Sequence, residues 1–178
     1  MKKLALAFIL CGVSTFAATV TYTTTGTFTS DSLSTITLGG ITITYTPVTV
    51  ADTVVAPSFA NVGFFTVTGS GSATFSDAFT LTIDQTVPSS GNSSTVSTVS
   101  GLLTGSSSGI ALSFSPAMFS IGSANWEMFN TPLAPNSTNG GVTTIEAYVV
   151  TTPEPSSLAL LGTSLIGFGL FARRRLVK

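Results

Sequence analysis

Ile41-Thr42-Ile43-Thr44-Tyr45-Thr46 alternates apolar and hydroxyl side chains without a slip. A strand turns successive side chains to opposite faces, so this stretch sets Ile41, Ile43 and Tyr45 on one surface and three threonines on the other. It predicts a strand with one face in a core and one in water. β-Branched residues suit that position, because their stiff χ1 costs less on a pleated surface than in a helix.

The pattern recurs outward from this stretch. Val20 and Tyr22 begin a similar run that continues less regularly to Phe28, and Thr74 to Ile83 carries Phe75, Phe79, Leu81 and Ile83 with Asp77 and Thr82 between them. Val62 to Thr68, Ser94 to Val99, Gly109 to Ser115, Asn125 to Phe129 and Val142 to Val150 are further strand candidates. Breaks rich in turn residues separate them, among them Gly39-Gly40, Gly69-Ser70-Gly71 and Pro132 to Gly141. Short strands punctuated in this way predict an all-β fold: a single antiparallel β-sandwich, jelly-roll-like, flanked by an N-terminal signal peptide and a C-terminal single transmembrane helix. The expected organisation is a signal peptide at 1–17, a Ser/Thr-rich sandwich domain at 18–152 and a sorting and anchor segment at 153–178. The expected core draws on Tyr22, Phe28, Ile41, Ile43, Tyr45, Phe64, Val67, Phe75, Phe79, Leu81, Ile83, Leu112, Phe114, Trp126, Phe129, Ile145, Tyr148 and Val150.

Composition narrows the function. Of 178 residues, 31 are Thr and 25 are Ser, and only 7% are charged. The basic residues are all terminal: Lys2 and Lys3 at one end, Arg173, Arg174, Arg175 and Lys178 at the other. Residues 18–152 therefore hold six carboxylates, Asp31, Asp52, Asp77, Asp84, Glu127 and Glu146, and no Lys, Arg or His. A body without phosphate-neutralising groups lacks the electrostatic attraction on which nucleic-acid binding rests, so nucleic acid is excluded as its partner. The lone Cys11 falls in the signal peptide, which leaves the body without thiol chemistry.

Both ends read as targeting segments. Lys2-Lys3, the apolar run Leu4 to Val13 and the small-residue exit Ser14-Thr15-Phe16-Ala17-Ala18 have the three parts of a secretory signal, with cleavage after Ala17 or Ala18. At the other end Pro153-Glu154-Pro155 precedes the uncharged stretch Leu158 to Ala172 and then Arg173-Arg174-Arg175. A helix over Ser157 to Ala172 would be about 24 Å long, slightly short of a hydrocarbon core of about 30 Å. The arginines would stay cytoplasmic and everything before Pro153 would lie outside.

In that order, Pro-Glu-Pro, the Ser156-Ser157-Leu158-Ala159-Leu160-Leu161-Gly162 continuation, the Gly-rich apolar stretch and the arginine cluster resemble the PEP-CTERM sorting signal of exosortase substrates in Gram-negative bacteria. The resemblance covers about 26 residues and leaves the body unassigned. It implies that Pro153, Glu154 and Pro155 are the recognition element for an exosortase-type membrane protease, that Leu158 to Ala172 halt in the inner membrane, and that Arg173, Arg174 and Arg175 retain the precursor there. It implies export through the Sec machinery, an inner-membrane anchored precursor and a final place at the cell surface or outside the cell. It also links such proteins to exopolysaccharide and biofilm.

The body's inventory closes most catalytic chemistry. Ser–His, Cys–His and Ser–Lys arrangements need residues that 18–152 does not contain, and so do imidazole or thiolate metal sites. Carboxylates remain, but Asp77 and Asp84 are seven apart and fall on opposite faces of a regular strand. The expectation is a protein that is not an enzyme and has no catalytic residue, cofactor or metal, with a structural or adhesive role in exopolysaccharide or biofilm. Two other readings stand beside it: a carbohydrate-binding module, with or without calcium, and a carboxylate-based glycoside hydrolase. For the module, Trp126 and Tyr148 are the candidate sugar contacts, because aromatic rings join an apolar face to a polar edge; the competing reading places them in the core.

Overall fold

The computed structural model describes residues 17–152 and 161–168. Among these, the strands in chain order are β1 Ala18–Phe28, β2 Thr35–Leu38, β3 Ile41–Thr46, β4 Asp52–Ala56, β5 Ser58–Gly69, β6 Ser72–Val87 and β7 Gly91–Thr104. They continue with β8 Ala111–Leu112, β9 Phe114–Ser115, β10 Met118–Ile121, β11 Ala124–Met128, β12 Thr131–Pro132 and β13 Val142–Thr151. One sheet has the order β4-β1-β6-β7-β9 and a second the order β10-β11-β13-β5-β3-β2, with β12-β8 as a small separate pair. Every ladder is antiparallel. The opening stretch, 41–46, is β3 over its whole length, with Ile41, Ile43 and Tyr45 buried.

The two large sheets pack face to face through their apolar sides. Phe28 of β1, Tyr45 of β3, Phe65 of β5 and Phe79 of β6 form a four-ring cluster with centroids 4.8 to 6.2 Å apart. Each such side chain contributes about 1.5–3 kcal/mol on burial, and tilted or edge contacts between rings add about 0.5–1.5 kcal/mol per pair. With no cation in 18–152, packing and hydrogen bonds hold the body together without ion pairs. The hairpins β2–β3, β6–β7 and β10–β11 each stay within one sheet, so the connectivity departs from the jelly-roll pattern expected from sequence.

Four expected core residues lie elsewhere. Phe64 is only partly buried, because Val62 and Gly63 of β5 together stand against Ile145 of β13, and this bulge shifts the inward parity of the strand from there on. Gly63 takes a φ of +120°, which a side chain would oppose, and Phe65 and Val67 thereby turn inward. On β13 the inward set is Thr143, Ile145, Ala147 and Val149, which leaves Tyr148 half-buried and Val150 exposed on the outer face. Phe129 comes directly after the inward Met128 and is also exposed.

The two chain ends of the sandwich lie at one pole. Ala18 pairs with Ala56 of β4, and two residues later Ser58 of β5 pairs with Val149 of β13. Past the end of β13, the Thr152 N–H and hydroxyl both donate to the Ser123 carbonyl, at 2.9 and 3.2 Å, which ties the exit strand to the β10–β11 turn. Beyond it, residues 161–168 are helical. No described helix is long and apolar enough to cross a membrane. The rest of the helix expected over Ser157 to Ala172, Pro153-Glu154-Pro155, Arg173 to Arg175 and nearly all of the signal peptide lie outside the described residues.

Two buried phenols join the sheets near that core. The Tyr45 hydroxyl donates to the Val62 carbonyl and lies 3.0 Å from Thr24 Oγ1, and Thr24 in turn accepts from the Val48 N–H at 2.9 Å. The Tyr22 hydroxyl donates to the Asn61 carbonyl at 2.7 Å and sits 3.1 Å from Asp52 Oδ2. Burial pushes the Tyr45 phenol up to about 12, partly opposed by the Thr24 hydrogen bond. Burial first and then the Asp52 carboxylate push Tyr22 well above the ordinary phenol range. A raised folded-state pKa means the native state holds its proton where the unfolded chain releases it. The stabilisation is therefore complete below about pH 10 and lost as pH climbs towards about 12, on the order of 2–3 kcal/mol from Tyr45, with Tyr22 adding to the loss. Urea unfolding midpoints measured from pH 8 to 12 should fall steeply above pH 10, and Tyr45→Phe should flatten that fall.

Candidate functional site

The two aromatic residues singled out from sequence point in opposite directions. Trp126 is fully buried in β11. Its ring meets Tyr22 edge-on at 5.1 Å, and its indole N–H donates to Gln85 Oε1 at 3.1 Å. The Gln85 amide nitrogen donates in turn to the carbonyls of Ser89 and Ile121, at 2.9 and 3.1 Å. A buried amide is stable when its groups are paired, and this one links β6 to the β10–β11 hairpin. Trp126 has no face left for a sugar.

Tyr148 faces out. In the register of the second sheet it lies opposite Glu127 of β11 on one side and Phe59 of β5 on the other. Its ring centroid is 5.3 Å from that of Phe59, which is itself 5.8 Å from Phe129. Phe59 is 59% exposed and Phe129 37%, and with half-buried Tyr148 these rings form an open aromatic patch on the outer face of the second sheet. Glu146, two residues from Tyr148 on β13, pairs with Asn61, so both carboxylates border the rings on one face. Directly opposed side chains on such a face are about 4.5–5.5 Å apart at Cβ and diagonal ones about 7–8 Å. Glu127 and Glu146 are exposed and have no hydrogen-bond or ion-pair partner among the described residues.

Sequence reasoning places Phe129 in the core and passes over Phe59. The available signal is parity: β11 buries Ala124, Trp126 and Met128, so Phe129 falls out of phase with them. Elsewhere the carboxylates are dispersed. Asp77 accepts from the Ser30 hydroxyl at 2.7 Å and the Ala78 N–H at 2.8 Å, which steadies the β1–β2 loop. Asp84 stands on the outer face of β6, opposite Thr23 and Asn92, so the two aspartates are on different faces. Among the described residues, no three of His, Cys, Asp and Glu come together as a metal-binding group.

Residues 151–175 match the family model of the PEP-CTERM protein-sorting motif. The match begins at Thr151, the final residue of β13, so the motif leaves the sandwich directly from its last strand. No curated protein and no solved structure matches the chain.

Proposed function

We propose that this chain is an exported, exosortase-sorted precursor whose β-sandwich is a non-catalytic surface or matrix domain, structural or adhesive within exopolysaccharide. The PEP-CTERM motif at 151–175 carries the reading. It is supported by the geometry of the ends: β1 begins and β13 leaves at the same pole, so a cut beyond Thr152 would free the sandwich without removing a strand. The non-catalytic part draws on composition, because 18–152 contains no His, Cys or Lys to serve as a catalytic base or nucleophile, and Asp77 and Asp84 face apart. Hydroxyl rows suit many weak contacts with a hydrated polysaccharide. On the first sheet Thr25, Thr82 and Ser94 form such a row across β1, β6 and β7.

The deciding experiment replaces Pro153, Glu154 and Pro155 together by Ala in the producing cell and compares intact masses of membrane and extracellular fractions. The unaltered chain should appear outside the cell without Arg173 to Lys178. The variant should remain in the membrane with those residues intact. Identical distribution and mass for both would end the sorting reading.

A further inference from the structure

The patch on the second sheet is where, among the described residues, exposed aromatic rings touch one another. An exposed ring costs solubility, and here exposed Phe59 touches both exposed Phe129 and half-buried Tyr148, which concentrates that cost at one place. Their borders are equally particular. Glu127 lies opposite Tyr148 and Glu146 lies diagonal to Glu127, on the same face, and neither is neutralised by a neighbour. Residues 18–152 contain no cation that could reach them.

Ring faces attract cations through their quadrupole, and carboxylates attract them by charge. A ligand that lays an apolar face on rings and presents a positive group to flanking carboxylates satisfies both features together. A pyranose does the first through its C–H face, and an amino sugar does both. A polyanionic glycan is repelled by the same carboxylates. We infer that the Phe59–Tyr148–Phe129 face binds a polysaccharide bearing protonated amino groups, with Glu127 and Glu146 pairing to those groups. The site rests on the proposed matrix role only for where the protein meets this ligand. Binding itself is a property of the sandwich, and it is measured independently of sorting.

The test uses the full chain in detergent micelles, titrated calorimetrically with three probes: a glucosamine oligomer, its fully N-acetylated counterpart and a neutral glucose oligomer. The glucosamine oligomer should bind at least about tenfold more tightly than either of the others, and added salt should weaken it. Phe59→Ala should weaken it about tenfold through loss of the ring. Glu127→Gln with Glu146→Gln should reduce its affinity to that of the neutral oligomer. All three positions are exposed, and unchanged circular dichroism of each variant would separate lost binding from lost fold.

Equal affinity for the three probes would overturn the inference, as would binding indifferent to Phe59→Ala. Cleavage of the oligomer that Glu127→Gln abolishes would overturn it in favour of a carboxylate hydrolase. Sedimentation of the chain as a dimer that Phe59→Ala dissociates would assign the patch to a second copy. Failure in any of these ways would leave the sorting experiment untouched, and failure of sorting would leave the glycan titration untouched.

Discussion

Replacing Trp126 by Ala should destabilise the sandwich by about 3–5 kcal/mol, the cost of removing a fully buried aromatic, and the orphaned Gln85 carbonyl should add about 1–3 kcal/mol. Against a total stability of about 5–15 kcal/mol for an ordinary domain, that is enough to leave much of the chain unfolded at room temperature. Trp126→Phe should cost less, because it keeps a ring against Tyr22 and forfeits the hydrogen bond. Tyr148→Ala, at a half-buried outer position, should cost least of the three. Urea denaturation followed by far-UV circular dichroism checks the order. In the unaltered chain the single tryptophan adds a second probe, since its fluorescence reports this contact alone. A Trp126→Ala protein as stable as the parent would mean that the indole does not pack between the sheets.

The same pair of residues marks the limit of reading this fold from sequence. Period two was enough for β3, where six residues alternate cleanly and all three inward side chains are large. It was enough for the inward set of β6 from Phe75 to Ile83, since Phe75, Phe79, Leu81 and Ile83 share one parity. It failed where side-chain size and parity disagreed. On β13 the small Ala147 faces in and the large Tyr148 faces out, and hydrophobicity alone ranks them the other way. On β5 the bulge at Val62 and Gly63 changes parity inside the strand, and only the partner strand reveals it.

The short strands were harder to see for a related reason. β2, β4, β10 and β12 have two to five residues each, too few to establish a period, and they exist because a neighbour offers a ladder. The sorting signal needed no fold at all. Its information lies in the order of Pro153-Glu154-Pro155, an apolar stretch and Arg173-Arg174-Arg175, which a linear reading captures and which the family match at 151–175 bears out. The aromatic patch is the opposite case. Phe59, Phe129 and Tyr148 come from distant parts of the chain, and only the β11–β13–β5 register brings them together.

Gly26→Val should be the most damaging single change on the first sheet. Gly26 sits inside β1 opposite Leu81, facing the core at a position where a strand would ordinarily place a large apolar residue. The space is already filled. A Cβ added there would come within 2.3 Å of Phe79 Cζ and 2.6 Å of Tyr45 Cε1. Those rings cannot retreat, because Phe79 is also packed on Phe28 and Phe65, and the Tyr45 hydroxyl is bound to Val62 and Thr24. Overpacking costs about 1–3 kcal/mol where neighbours can adjust, and more where they are held on several sides. Gly26→Ala should therefore lower the urea midpoint clearly, and Gly26→Val should abolish cooperative folding. The cause is steric, so shortening the obstructing ring should repair it: Phe79→Leu is destabilising alone, yet combined with Gly26→Ala it should recover part of the loss, a coupling that a double-mutant cycle reads directly. Strictly additive costs would show that Gly26 is kept for some reason other than the two rings stacked over it.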